Sequence, residues 1–68
     1  MNTAELEKMF KALEKSPTPS IALKRSDRLT AFITQNTASG SIYRDELRQR
    51  KLSTLQAVLG RMNPFVKG

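Results

Sequence analysis

The chain has 68 residues, with twelve Lys or Arg against six Asp or Glu, giving a net charge of +6 at neutral pH. It contains neither histidine nor cysteine, which excludes disulfides, an ordinary zinc site and any nucleophile paired with an imidazole or a thiolate. Its apolar runs are only about three residues long, against the roughly 20 that cross a bilayer.

A chain this short makes one small domain and buries only about 60% of its unfolded surface. A homodimer or a bound partner is therefore the expected source of extra stability. No basic-then-apolar leader opens the sequence, so the expected location is cytoplasmic.

The first predicted element is an amphipathic helix over residues 1–15, "NTAELEKMFKALEK". Asn2 is its cap, and Glu5 three residues on completes a capping-box pattern. Leu6, Met9, Phe10 and Leu13 fall at i, i+3, i+4 and i+7, one apolar stripe. They pack within the subunit or pair with a symmetry mate as an isologous contact. Pro17 stops the helix, because it disfavours a helical conformation at Ser16. Residues 16–20, "SPTPS", read as a stiff connection.

The core then runs over residues 21–64. Ser26 is the expected cap of a helix from Asp27 to about Gln35, with Leu29, Phe32 and Ile33 inward. A single helix from Ser20 is the competing reading. "TASG" is a loop in which Gly40 is free to take positive φ. A third helix starts near Tyr43, with Asp45 and Glu46 in its first turn and Arg48, Arg50 and Lys51 in its last, as the macrodipole favours. Leu52 and Ser53 turn the chain. Ser53 and Gln56 then form a second capping-box pattern opening a fourth helix, with Leu55, Val58, Leu59 and Met62 on one side. Asn63–Pro64 ends it, and residues 65–68 are a tail. The expectation is an all-α domain of three to four helices with a helix-turn-helix-like C-terminal half.

Charge is uneven: residues 1–15 are neutral, while residues 44–68 carry six cations and two anions. Such a bias suggests a polyanionic partner. Catalysis is not expected. The adjacent Asp45 and Glu46 point about 100° apart on a helix and cannot face each other as an acid–base pair. No glycine-rich phosphate loop is present, and no cofactor or metal is implied.

The spacing from residue 27 to 62 is more informative. Leu29, Phe32 and Ile33 stand on one helix, and "TASG" follows as a loop. Ile42 leads to Glu46–Leu47, and Val58 and Met62 follow in the last helix. This pattern resembles the helix-turn-helix of three-helical, winged-helix-like DNA-binding domains. Lys51 and Leu52 depart from it, standing where an apolar residue and a glycine are usual.

The resemblance implies a small dimeric regulator of the phage or plasmid kind, bound to double-stranded DNA. Arg44, Arg48, Arg50 and Lys51 would then touch phosphates. Thr54, Gln56 and Arg61 would face base edges, with Gln56 suited to adenine and Arg61 to guanine. The alternative is a helical inhibitor or adaptor that docks on a larger host protein. Its motivation is the wide apolar stripe of the last helix. Leu55, Leu59 and Phe65 would anchor that contact together with Tyr43.

Overall fold

The three helices of this protein share one construction rule. Each sends side chains inward at i, i+4, i+7 spacing, the interval that keeps residues on one face of a 3.6-residue helix. The computed structural model describes residues 1–62: α1 Thr3–Glu14, α2 Pro19–Asn36 and α3 Ile42–Met62, with no strand among them. The all-α expectation is met with three helices.

Helix α1 follows its sequence pattern. Asn2 Oδ1 accepts from the Glu5 backbone N–H at 3.1 Å, closing the first turn. Leu6, Phe10 and Leu13 are buried and Met9 packs beside them, all within the subunit. Burial in their own subunit removes Leu6, Phe10 and Leu13 from the dimer or partner interface for which the sequence offered them. After Lys15 the chain leaves the helix, and Ser16 is buried, its Oγ donating to Ala12 O.

Helix α2 begins earlier than Ser26. Thr18 is its cap, accepting from the Ile21 N–H at 3.2 Å, and Pro19 takes the first helical position. A proline fits there because its missing N–H would have no partner anyway. Part of the expected connection at residues 16–20 is thus a helix start, and the longer of the two helices weighed for this segment is the one formed. Ser26 lies mid-helix, on the buried stripe of Ala22, Ser26, Leu29 and Ile33. Two small residues on that stripe let the neighbouring helices come close. Gly40 has φ of 77°, the left-handed conformation that a glycine adopts without strain.

The largest correction concerns α3. No turn occurs at Leu52–Ser53; one helix of 21 residues runs from Ile42 to Met62. Its inward positions are Leu47, Lys51, Thr54 and Val58, again i, i+4, i+7 and i+11. Leu47 and Val58 are buried, and Lys51 and Thr54 half-buried. Two polar residues in consecutive inward slots make the stripe look interrupted in the sequence, but the backbone needs no interruption there. Ser53, the expected cap, is exposed on the far side.

Each helix packs on the other two. Contacts between Arg44 and Thr34 and Thr37, and between Lys51 and Thr30, make α2 and α3 antiparallel. Contacts of Arg50 with Glu7 and of Arg61 with Glu14 make α1 and α3 parallel. The bundle therefore has three outer faces, one along each helix pair.

Candidate interaction surfaces

Four of the seven side chains expected to face DNA are engaged within the subunit. Arg44 grips the C-terminal end of α2. Its Nη2 donates to Thr34 O at 2.7 Å and Thr37 O at 2.6 Å, and its Nε donates to Thr37 Oγ1 at 2.8 Å. The last turn of α2 contains no basic residue. Arg44 thus supplies, from across the loop, the cation that the carbonyl end of a helix favours.

Arg61 does the same for α1, donating to Glu14 O at 2.9 Å, and Arg25 donates to Ala12 O at 2.6 Å. Lys51 reaches Thr30 Oγ1 at 2.7 Å, while the Thr30 hydroxyl donates to Ser26 O. That contact explains how a lysine occupies an inward slot: its methylenes line the seam and its ammonium finds an oxygen.

Arg50 forks onto Glu7 with two hydrogen bonds of 2.6 and 2.7 Å. Its guanidinium also lies 3.9 Å over the Phe10 ring, closing the α1–α3 face above a buried aromatic. The hydrogen bonds from Arg50 hold the Glu7 carboxyl below the usual carboxylate range. A depressed carboxylate pKa contributes stability that is present above the unfolded value, about 4.3, and is lost as pH falls through the folded value. Both partners are exposed, so the contribution is small. Acid titration of Glu7→Gln beside the parent, followed by circular dichroism, is expected to show a shallower loss of stability below about pH 4. Identical acid profiles would contradict the pairing.

Arg44 is the cation with most at stake. Charge-assisted hydrogen bonds contribute about 1.5–3 kcal/mol. Arg44→Ala is expected to cost about 2 kcal/mol, which in a domain this size lowers the melting temperature by roughly 8–16 °C. Arg48→Ala, on an exposed residue with no hydrogen-bonded partner among the described residues, is expected to stay within about 0.5 kcal/mol. Comparable losses in the two variants, read by thermal melts, would remove Arg44 from its capping role.

With those cations accounted for, two outer faces carry distinct chemistry. On the α2–α3 face, Leu23, Asp27, Thr30 and Thr34 form one stripe, and Arg48, Leu52, Leu55 and Leu59 form the other at the same spacing. Continuing the antiparallel register set by Lys51 and Thr30 brings Leu23 level with the segment between Leu55 and Leu59. Leu23 is 50% and Leu52 45% exposed, and Leu55 and Leu59 are half-buried against the core. The leucines thus occupy one half of the face, with the exposed Asp27 among them and Thr34 and Arg48 on the other half. Tyr43, also offered as an anchor, lies at the opposite end of α3 beside Met1. Phe65 lies outside the described residues.

The α1–α2 face is basic. Lys8, Ala12 and Lys15 form its α1 stripe, and Lys24, Arg28 and Gln35 its α2 stripe. A shallow groove between them is lined by Met9, Ala12, Arg25 and Arg28. Lys8, Lys15, Lys24 and Arg28 are exposed and form no ion pair among the described residues.

The sequence reading gave Lys8 and Lys15 no role and placed Leu52 in a turn. The recoverable signal was the matched spacing of residues 48, 52, 55 and 59 with residues 23, 27, 30 and 34. Among the described residues no acidic cluster could hold a metal, and no helix is long and apolar enough to cross a membrane. No family model, curated protein or solved structure matches this chain.

Proposed function

We propose that this chain is a small helical adaptor or inhibitor that docks on another protein through its α2–α3 face. The observation that carries this reading is the group of Leu23, Leu52, Leu55 and Leu59 on one side of an antiparallel helix pair, with two of the four about half exposed. Small soluble proteins seldom leave leucines grouped on one face without a use for them. A seam between two antiparallel helices fits a third helix laid along it, since side-chain ridges of one helix pack into the grooves of another. The partner element is therefore an amphipathic helix with apolar residues at i, i+3, i+4 and i+7. It completes a four-helix arrangement on the side away from α1. Asp27, level with Thr54 and so among the leucines, and Arg48 at their end carry opposite charges that set its orientation.

The competing reading is a DNA-binding regulator in which α3 enters a groove. Of the α3 side chains proposed for that role, Arg48 and Gln56 are exposed and form no hydrogen bond among the described residues, while Thr54 is turned inward. Those two are few for a base-reading helix.

Site-specific photo-crosslinking separates the two readings. A benzoylphenylalanine at Leu52 is expected to trap one protein partner from the native host. The same probe at Lys11, on the outer side of α1, should not. Adding Leu23→Ser and Leu59→Ser should abolish the Leu52 crosslink while helicity is kept. Equal crosslinking from both positions, or a crosslink to DNA from Leu52, would sink the adaptor reading.

A further inference from the structure

The basic α1–α2 face is a second surface, built from side chains that the adaptor reading does not use. We propose that it binds the phosphate backbone of double-stranded DNA without reading its sequence. The hydrogen bond from Arg25 to Ala12 O fixes the antiparallel register of α1 and α2. That register brings Lys8 level with Arg28, and Lys15 and Lys24 within about a turn of each other. Four exposed cations therefore gather around the groove of Met9, Ala12, Arg25 and Arg28. Arg25 forms its floor, already bonded to α1 and so held in place. Glu5 is the one anion on the α1 stripe, one turn before Lys8.

The same face argues against other polyanions. Single-stranded nucleic acid is held largely by stacking of bases on aromatic side chains. Among the described residues the aromatic nearest this groove, Phe32, packs against the core. Anionic membrane surfaces are held by basic residues together with apolar side chains that enter the lipid. The exposed positions here are Lys, Arg, Gln, Glu5 and the small Ala31, with no large apolar side chain among them. Protein interfaces are depleted in lysine, and three of the four exposed cations are lysines. What remains is a surface of point charges without stacking or base-reading groups, the combination that suits duplex phosphates.

The test is a fluorescence-anisotropy titration of a labelled 20-base-pair DNA duplex of arbitrary sequence at several salt concentrations. Four phosphate contacts predict that log affinity falls with log salt at a slope near −3.6, a loss of roughly two orders of magnitude from 50 to 200 mM. Lys8→Ala with Arg28→Ala should weaken binding roughly tenfold or more at 50 mM and flatten the slope by about two. Arg48→Ala with Gln56→Glu lowers the net charge by the same two units from α3, outside this face, and should leave the slope near that of the parent. All four positions are exposed, so helicity by circular dichroism should be unchanged in both variants.

Absence of duplex binding at 50 mM salt overturns the proposal, as does equal weakening by the two charge-matched pairs. Tighter binding to a single strand of the same length, or equal binding to polyglutamate, overturns the choice of duplex DNA. None of these outcomes bears on the Leu52 crosslink, so the two surfaces stand or fall separately.

Discussion

Phe10→Ala is expected to remove between about a third and all of the protein's stability. Phe10 is 1% exposed, in the cluster with Leu6, Leu13, Leu29 and Ile33, and the Arg50 guanidinium covers its ring. Truncating a buried phenylalanine costs about 3–5 kcal/mol, through lost transfer free energy and the cavity left behind. A domain of 68 residues has a total stability of roughly 3–10 kcal/mol. There is no disulfide or zinc site to make up the difference. Urea unfolding followed by circular dichroism checks this: the parent should show a cooperative transition, and the variant one at much lower urea or none at all. Leu23→Ala, on an exposed leucine, should keep its midpoint within about 0.5 kcal/mol of the parent. A Phe10→Ala midpoint equal to that of Leu23→Ala would mean that the core is built differently.

Thr54→Pro is the second large effect, and it discriminates between two backbones. With a turn at Leu52–Ser53 and Ser53 as cap, residue 54 would be the first of a new helix, where proline is favoured. In the continuous α3, residue 54 is deep inside a helix running from Ile42 to Met62. A proline there removes one backbone hydrogen bond and drives its ring against the carbonyl of Arg50, at about 3 kcal/mol or more. The damage spreads, because Arg50 and Arg61 on either side of the kink anchor α3 to α1. The expected result is a melting temperature lower by well over 10 °C, or loss of folding. A Thr54→Pro protein as stable as its parent would restore the helix-turn-helix geometry.

What the sequence determined by itself were the features that local chemistry decides. The cap at Asn2, the stripe of Leu6, Phe10 and Leu13, the stop before Pro17 and the glycine turn at Gly40 all depend on neighbours within about one turn of chain. Each was legible for that reason, as was the all-α class.

The start of α2 was equally local, yet Thr18–Pro19 also satisfies the composition of a linker. Only the hydrogen bond from Ile21 N–H to Thr18 settles it as a cap.

Tertiary structure alone decided the continuity of α3 and the destinations of the cations. Lys51 in an inward slot reads as the end of a helix until Thr30, 21 residues away in sequence, supplies an oxygen for its ammonium. Arg44, Arg50 and Arg61 read as a polyanion site until the carbonyl ends of α2 and α1 and the Glu7 carboxylate are brought to them by the bundle. An arginine has the same pattern in sequence whether its partner is a phosphate or a helix terminus. The fold chooses between them, because only packing puts the unsatisfied carbonyls of one helix within reach of a guanidinium on another. That choice moved the free positive charge from α3 to the α1–α2 face and left the leucines of α3 beside Leu23 on the other side of the bundle.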